Sequence, residues 1–141
     1  MKLDLISLRN AFSALERSLN FLNSDMAKDP ALHEQFRAAA IQAFEFTHDL
    51  AFKMLKRQLE QMAADPASVD KMSYMEVIRT GAEAGLLEDV AGFRDYRDKR
   101  NITSHTYDQA KAEQIAAVLG DFLRDVRRLL DELERRNLAA D

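Results

Sequence analysis

DPALHEQFRAAAIQAFEFTHDLAFKMLKRQLEQMAA, Asp29 to Ala64, is the stretch on which the fold turns. It holds one proline, at its start, and no glycine. Pro30 suits a first helical turn, where its missing N–H would have had no intrahelical partner, and Asp29 can accept from the orphan donors that follow. Phe36, Ile41, Phe44, Leu50, Met54, Leu55 and Leu59 then keep a helical period, which predicts one long helix to about Ala64.

Working outward, breakers are rare: four glycines and two prolines in the whole chain, so each one places a boundary. Upstream, Leu5, Leu8, Phe12, Leu15, Leu19 and Leu22 alternate steps of three and four along one stripe, predicting a helix that ends near Asn23 to Asp25. Downstream, Asp65 to Ser68 reads as a loop, and Ser73 with Glu76 three residues later reads as a capping box. Gly85 should end that third helix, with Leu86 packing back after it. Glu88 and Asp89 favour the positive N-terminal dipole of a fourth helix running to about Ile102. Asp108 can cap a fifth, in which Ile115, Leu119, Phe122, Val126, Leu129 and Leu133 step by four and three. Its outer face pairs Asp131 with Arg135 and Glu132 with Arg136.

These segments predict an all-α fold, an up-and-down antiparallel bundle of about five helices forming one domain over residues 1–141. A chain of 141 residues with 47% hydrophobic content can bury one core without staples. Seams at both ends point to a homodimer. The absence of cysteine removes disulfides, zinc–thiolate sites and thiol catalysis. Asp4 and Arg9 interrupt any signal-like apolar run, and no segment is apolar for long enough to span a bilayer, so a cytoplasmic protein is expected. A net charge of −4 argues against general coating of nucleic acid, so any RNA contact must be local.

Chemistry is sought at the three histidines. His33, among polar neighbours, reads as surface. Glu45 and His48 form one Glu-x-x-His pair, but a di-iron bundle needs two such pairs with further glutamates. His48 shares the stripe of Ile41, Phe44, Ala51 and Leu55, which makes it a core or interface histidine, and no metal site or cofactor is expected. His105 lies in RDKRNITSHTYDQ, Arg97 to Gln109, a polar connection with neither Gly nor Pro. Arg100 and His105 are five apart, about 140° on a continuous helix, so they can share a cleft only if the helix breaks between them. Asn101, Thr103 and Ser104 compete for the backbone and favour that break. An arginine fork suits phosphate, and histidine exchanges protons near neutral pH. Together they suit attack of a ribose 2′-hydroxyl on its adjacent phosphate. The same residues would equally serve as a structural turn, capping carbonyls and pairing with Asp95 or Asp98.

Arg100-Asn101-Ile102-Thr103-Ser104-His105-Thr106-Tyr107 resembles the Arg-x4-His-x-Tyr signature of the HEPN family (higher eukaryotes and prokaryotes nucleotide-binding). It is similar in particular to the nucleotidyltransferase substrate-binding or HepT-like subfamily. FEFTHDLAFKMLKRQLE (Phe44–Glu60) and GLLED (Gly85–Asp89) resemble that subfamily in order and spacing, and the likeness covers roughly residues 5 to 135. It implies a dimeric helical bundle that partners a separately encoded minimal nucleotidyltransferase. In the toxin–antitoxin version it implies a metal-independent ribonuclease whose two motifs meet across the dimer. Arg100 and His105 would then be catalytic, Asn101 would orient the histidine and Ser104 would line the site, with Glu45 a lesser contributor. Tyr107 would accept AMP from the partner, whose bulk and charge block RNA. The alternative is a non-catalytic subunit that binds nucleotide or substrate for that partner. His48 stands where the subfamily tends to have an aromatic residue.

Overall fold

The computed structural model describes residues 2–139. Among the described residues seven helices follow one another: α1 (Ile6–Leu22), α2 (Pro30–Met62), α3 (Pro66–Asp70), α4 (Tyr74–Glu83), α5 (Val90–Asn101), α6 (Gln109–Ala116) and α7 (Leu119–Ala139). Short 3-10 turns lie at Asp25–Lys28 and Thr103–His105. No strand occurs among the described residues, and none of their helices is long and apolar enough to cross a membrane. The architecture is the expected up-and-down bundle, with α2 as the central helix against which α1, α4, α5, α6 and α7 all pack.

Local chemistry sets the boundaries. Asp29 accepts from the Ala31 and Leu32 amides and starts α2 on Pro30. The Ser73–Glu76 capping box is formed in both directions. Gly85 leaves α4 with φ of 78°. Its N–H donates to the Ala82 carbonyl, and that of Leu86 to the Gly81 carbonyl. This is the reciprocal pair of bonds that a glycine just past a helix end allows. Asp89 accepts from Gly92 N to cap α5, and Asp108 from Ala110 N and Lys111 N to cap α6.

Two boundaries depart from expectation. Asp65 to Ser68 is not a loop, because Asp65 accepts from Ala67 N and Pro66 starts the single turn α3. The last helix is split at Ala117–Val118, where Val118 N donates to Ile115 O, a tighter i−3 bond, just before Gly120, which favours helix weakly. The apolar stripe runs straight across that break: Ile115, Leu119, Phe122, Val126, Leu129 and Leu133 are all fully buried. On the outer face Glu132 pairs with Arg136 at 2.9 Å as expected. Arg135 pairs with Glu132 instead of Asp131, since the three-residue step is equally within reach on a helix.

The core centres on Phe44 of α2 and Phe122 of α7, edge to face with ring centres 4.7 Å apart; Tyr96 of α5 meets Phe122 at 5.1 Å. Burial raises the Tyr96 phenol, and its hydroxyl is tied to Asp125. Buried Asn137 accepts from Leu3 N and donates to Gln58 Oε1 and Leu133 O, so one amide joins the N-terminal segment, α2 and α7. His33 stays at the surface, its side chain 39% exposed, and with the buried Arg37 it holds Glu113 of α6, at 2.9 and 2.5 Å.

Candidate functional site

α5 ends at Asn101, and Ile102 leads into the 3-10 turn at Thr103–His105. The helix therefore breaks between Arg100 and His105, where Asn101, Thr103 and Ser104 favour it. Thr103 holds the corner: its buried hydroxyl donates to the Arg100 carbonyl at 2.9 Å and accepts from Arg100 Nη1 at 3.0 Å.

The other edges of the Arg100 fork face α2. Nε and Nη2 reach Asp49 Oδ1 and Oδ2 at 3.1 and 2.9 Å, a two-pronged pair. Glu45, one turn earlier, stands 3.8 Å from Nη1. The pairing with Asp95 or Asp98 that a purely structural turn would use does not form; Asp95 is taken by Lys99 at 2.7 Å. Asp49 holds Arg100 protonated above its ordinary value. Partial burial pushes the Asp49 carboxyl up, but the hydrogen bonds from Arg100 and His48 outweigh it, and the carboxyl sits below its ordinary value.

Behind Asp49 lies His48, buried as the stripe required, with Phe44 and Phe122 around its ring. Its Nδ1 is 3.3 Å from Asp49 Oδ1 and its Nε2 3.1 Å from the Tyr74 hydroxyl, which in turn donates to Phe93 O at 3.0 Å. Burial lowers the His48 pKa, and Asp49 only partly offsets it. A neutral imidazole has one N–H, so it cannot donate to Asp49 and to Tyr74 together. Asp49, His48 and Tyr74 thus form a chain, from Arg100 into the core, in which one proton more satisfies every bond and burial withholds it.

Arg100, Asn101 and Ser104 line a cleft of about 530 Å3 between α2 and α5, together with His48, Asp49, Phe52, Lys56, Met72, Tyr74, Arg97 and Thr103. His105 and Tyr107 are not among its walls. His105 is half-buried on the turn, with Nδ1 3.4 Å from the Tyr107 hydroxyl, and Tyr107 is 81% exposed. No hydrogen bond joins Arg100 to His105 among the described residues. Of the residues picked from sequence, Arg100, Asn101 and Ser104 share the cleft, Glu45 reaches only its arginine, and His105 with Tyr107 occupies the adjoining outer turn.

The matched family model is the one described as nucleotidyltransferase substrate binding protein like, and it spans residues 3–135. The chain belongs to that HepT-like family. A relative from Haemophilus influenzae named probable ribonuclease HepT is 39% identical over 140 residues, which is 96% of this chain and 95% of that one. The solved structure of HI0074 from the same organism is described as revealing the fold of a substrate binding domain of a nucleotidyltransferase. It superposes with a TM-score of 0.88 at 36% identity, covering 93% of this chain and 99% of that one. Within this HepT-like chain, sequence reasoning missed Asp49 and Tyr74. Asp49 lies on the polar side of α2 and gains its meaning only from an arginine 51 residues away.

Proposed function

We propose that this protein is the HEPN-type subunit of a two-component system with a separately encoded minimal nucleotidyltransferase, and that it acts in the cytoplasm as a homodimeric, metal-independent endoribonuclease. The observation that carries the reading is the broken helix end. It fixes Arg100 at the cleft wall, its fork held by Asp49, and sets half-buried His105 and exposed Tyr107 on the turn immediately after it, in a chain 39% identical to a probable ribonuclease HepT.

In this reading the histidine takes the proton of a ribose 2′-hydroxyl, whose oxygen attacks the adjacent phosphorus while the bond to the 5′-oxygen breaks. The leaving oxygen receives a proton from the histidine of the second copy, or from the same ring after exchange. Arg100 stabilises the charge that builds on the phosphoryl oxygens. Asn101 orients His105, Ser104 and Glu45 border the strand, and RNA or nucleotide is the substrate class. Tyr107, with its hydroxyl 3.4 Å from His105 Nδ1, is the group whose oxygen, on losing its proton, attacks the α-phosphorus of ATP held by the partner, taking AMP and releasing pyrophosphate.

Purified protein in EDTA is expected to cut RNA and to leave 2′,3′-cyclic phosphate ends. Arg100→Ala and His105→Ala should each lose at least about a hundredfold in rate, the scale of one removed acid–base or charge-stabilising group. Incubation with the partner and ATP should add the mass of one AMP to the wild type and not to Tyr107→Phe.

A second reading, a non-catalytic subunit that binds nucleotide or substrate for the partner, is favoured by one feature: Arg100 is already paired with Asp49 and makes no bond to His105. Nucleotide or partner binding by a protein that cuts no RNA would select it.

A further inference from the structure

The cleft continues beyond Arg100 into a region that the proposed cleavage does not use. On α2, Asp49, Phe52 and Lys56 fall at steps of three and four and so share a face, with Lys56 about 10 Å along the helix from Asp49. Arg97 lies one turn before Arg100 and Asn101 on α5, and Tyr74 of α4 closes the floor.

The charges of this region are unevenly settled. Asp49 is taken up by Arg100, at 2.9 Å. Among the described residues no carboxylate lies within ion-pair distance of Arg97, whose guanidinium carbon instead rests 4.9 Å above the Tyr74 ring centre. The carboxylate nearest Lys56 is that of the exposed Asp70, at 3.9 Å, the outer limit of a pair. Two cations therefore border the cleft without a firm counter-ion. Between them lies an aromatic floor: Phe52 and Tyr74, ring centres 4.9 Å apart, with Met72 beside them.

We propose that this groove binds one nucleotide unit, with Lys56 and Arg97 on the phosphate and the half-buried Phe52 ring against the base, Tyr74 backing Phe52 and Arg97 from beneath. Cations along a groove with aromatic rings between them are what a single nucleotide needs, because every base offers a flat face and every phosphate a charge. The cleft volume of about 530 Å3 lies within the usual range of small-molecule sites. An apolar ligand would desolvate Arg97, which has no carboxylate partner among the described residues, and Lys56, which has only the 3.9 Å contact to exposed Asp70. Asn101 and Ser104, exposed on the rim, offer hydrogen bonds to base or ribose edges. The inference rests on the reading that this protein handles nucleotides, and it does not require His105 to cleave.

The unit can be a free mononucleotide or one residue of a single RNA strand next to the scissile bond. The test uses the whole protein with two probes: AMP or UMP by calorimetric titration, and a short labelled RNA with methylated 2′-hydroxyls by fluorescence anisotropy. Since that RNA cannot be cut, an absence of ribonuclease activity leaves the measurement intact. Lys56→Ala and Arg97→Ala should each weaken binding about tenfold, the loss of one charge-assisted contact. Phe52→Ala should weaken it by about the same factor through lost stacking. Arg79→Ala on the far side of α4 should have no effect. Binding of both probes identifies a free-nucleotide site that RNA also enters, and binding of the RNA alone identifies a strand subsite; either supports the proposal. It is overturned if the wild type binds neither probe, or if Lys56→Ala and Arg97→Ala bind as the wild type does. Because both are charge changes outside the core, they remain decisive even if Phe52→Ala, which alters a half-buried ring, unfolds the protein.

Discussion

At the scale of single residues, the informative group is His48, since it joins the core to the site. Its pKa is lowered chiefly by burial, so below the unfolded histidine value of about 6.5 the unfolded chain takes up a proton that the folded chain resists. The stability due to neutral His48 is fully present above that value and is lost as pH falls through it towards the lowered folded value. Phenylalanine fills a similar volume among Phe44, Phe122 and Tyr74 and carries no proton. His48→Phe should therefore flatten the fall in thermal midpoint between about pH 7.5 and 5.5, while the other titrating groups act alike in both proteins. Equal falls in wild type and variant would remove His48 as the cause. Asp49 adds stability in a lower window: its depressed carboxyl contributes above the ordinary carboxylate value and is lost as pH falls below it. The two windows open at different pH, that of His48 at about 6.5 and that of Asp49 at the ordinary carboxylate value.

At the scale of elements, the ends of α4 make the clearest test. Ser73→Ala removes one half of a capping box and should cost about 1 kcal/mol. Gly85→Ala places a Cβ at φ of 78° and 3.2 Å from Arg136 Nη2, which should cost about 1–2 kcal/mol. Urea midpoints should drop in both with the slope unchanged; a Gly85→Ala midpoint equal to wild type would show that the turn is not strained. These ends were legible in the sequence because each is written in adjacent residues: a serine with a glutamate three on, a glycine followed by leucine. The split between α6 and α7 was not, because Ile115 and Leu119 keep their spacing across it and only a single backbone bond shortens. The break after Asn101 was legible from its Asn, Thr and Ser. The position of Arg100 was not, since Asp49 competes with Asp95 and Asp98 for it and wins through the packing of α5 on α2. Pattern along a helix reports which side is buried; it is silent on which polar residue of one helix meets which of another.

At the scale of the whole molecule, one aromatic cluster carries both the bundle and the floor of the cleft. Phe122 is fully buried and contacts Phe44, Tyr96 and His48, so α7 reaches the site without contributing a residue to its walls. Phe122→Ala should lose about 3–5 kcal/mol, the cost of an aromatic-sized cavity in a close-packed core, and much of a small domain's total stability. Phe122→Leu keeps most of the volume and should cost less, leaving the protein folded but removing the ring that restrains His48. Its measurable consequence is at the histidine: a shifted His48 titration followed by NMR, alongside a modestly lower urea midpoint. If Phe122→Leu lowers stability and leaves the His48 titration where it was, the His48–Asp49–Arg100 chain is set by α2, α4 and α5 alone. If the titration moves, the core on the far side of the bundle helps determine the protonation of the groups behind the cleft.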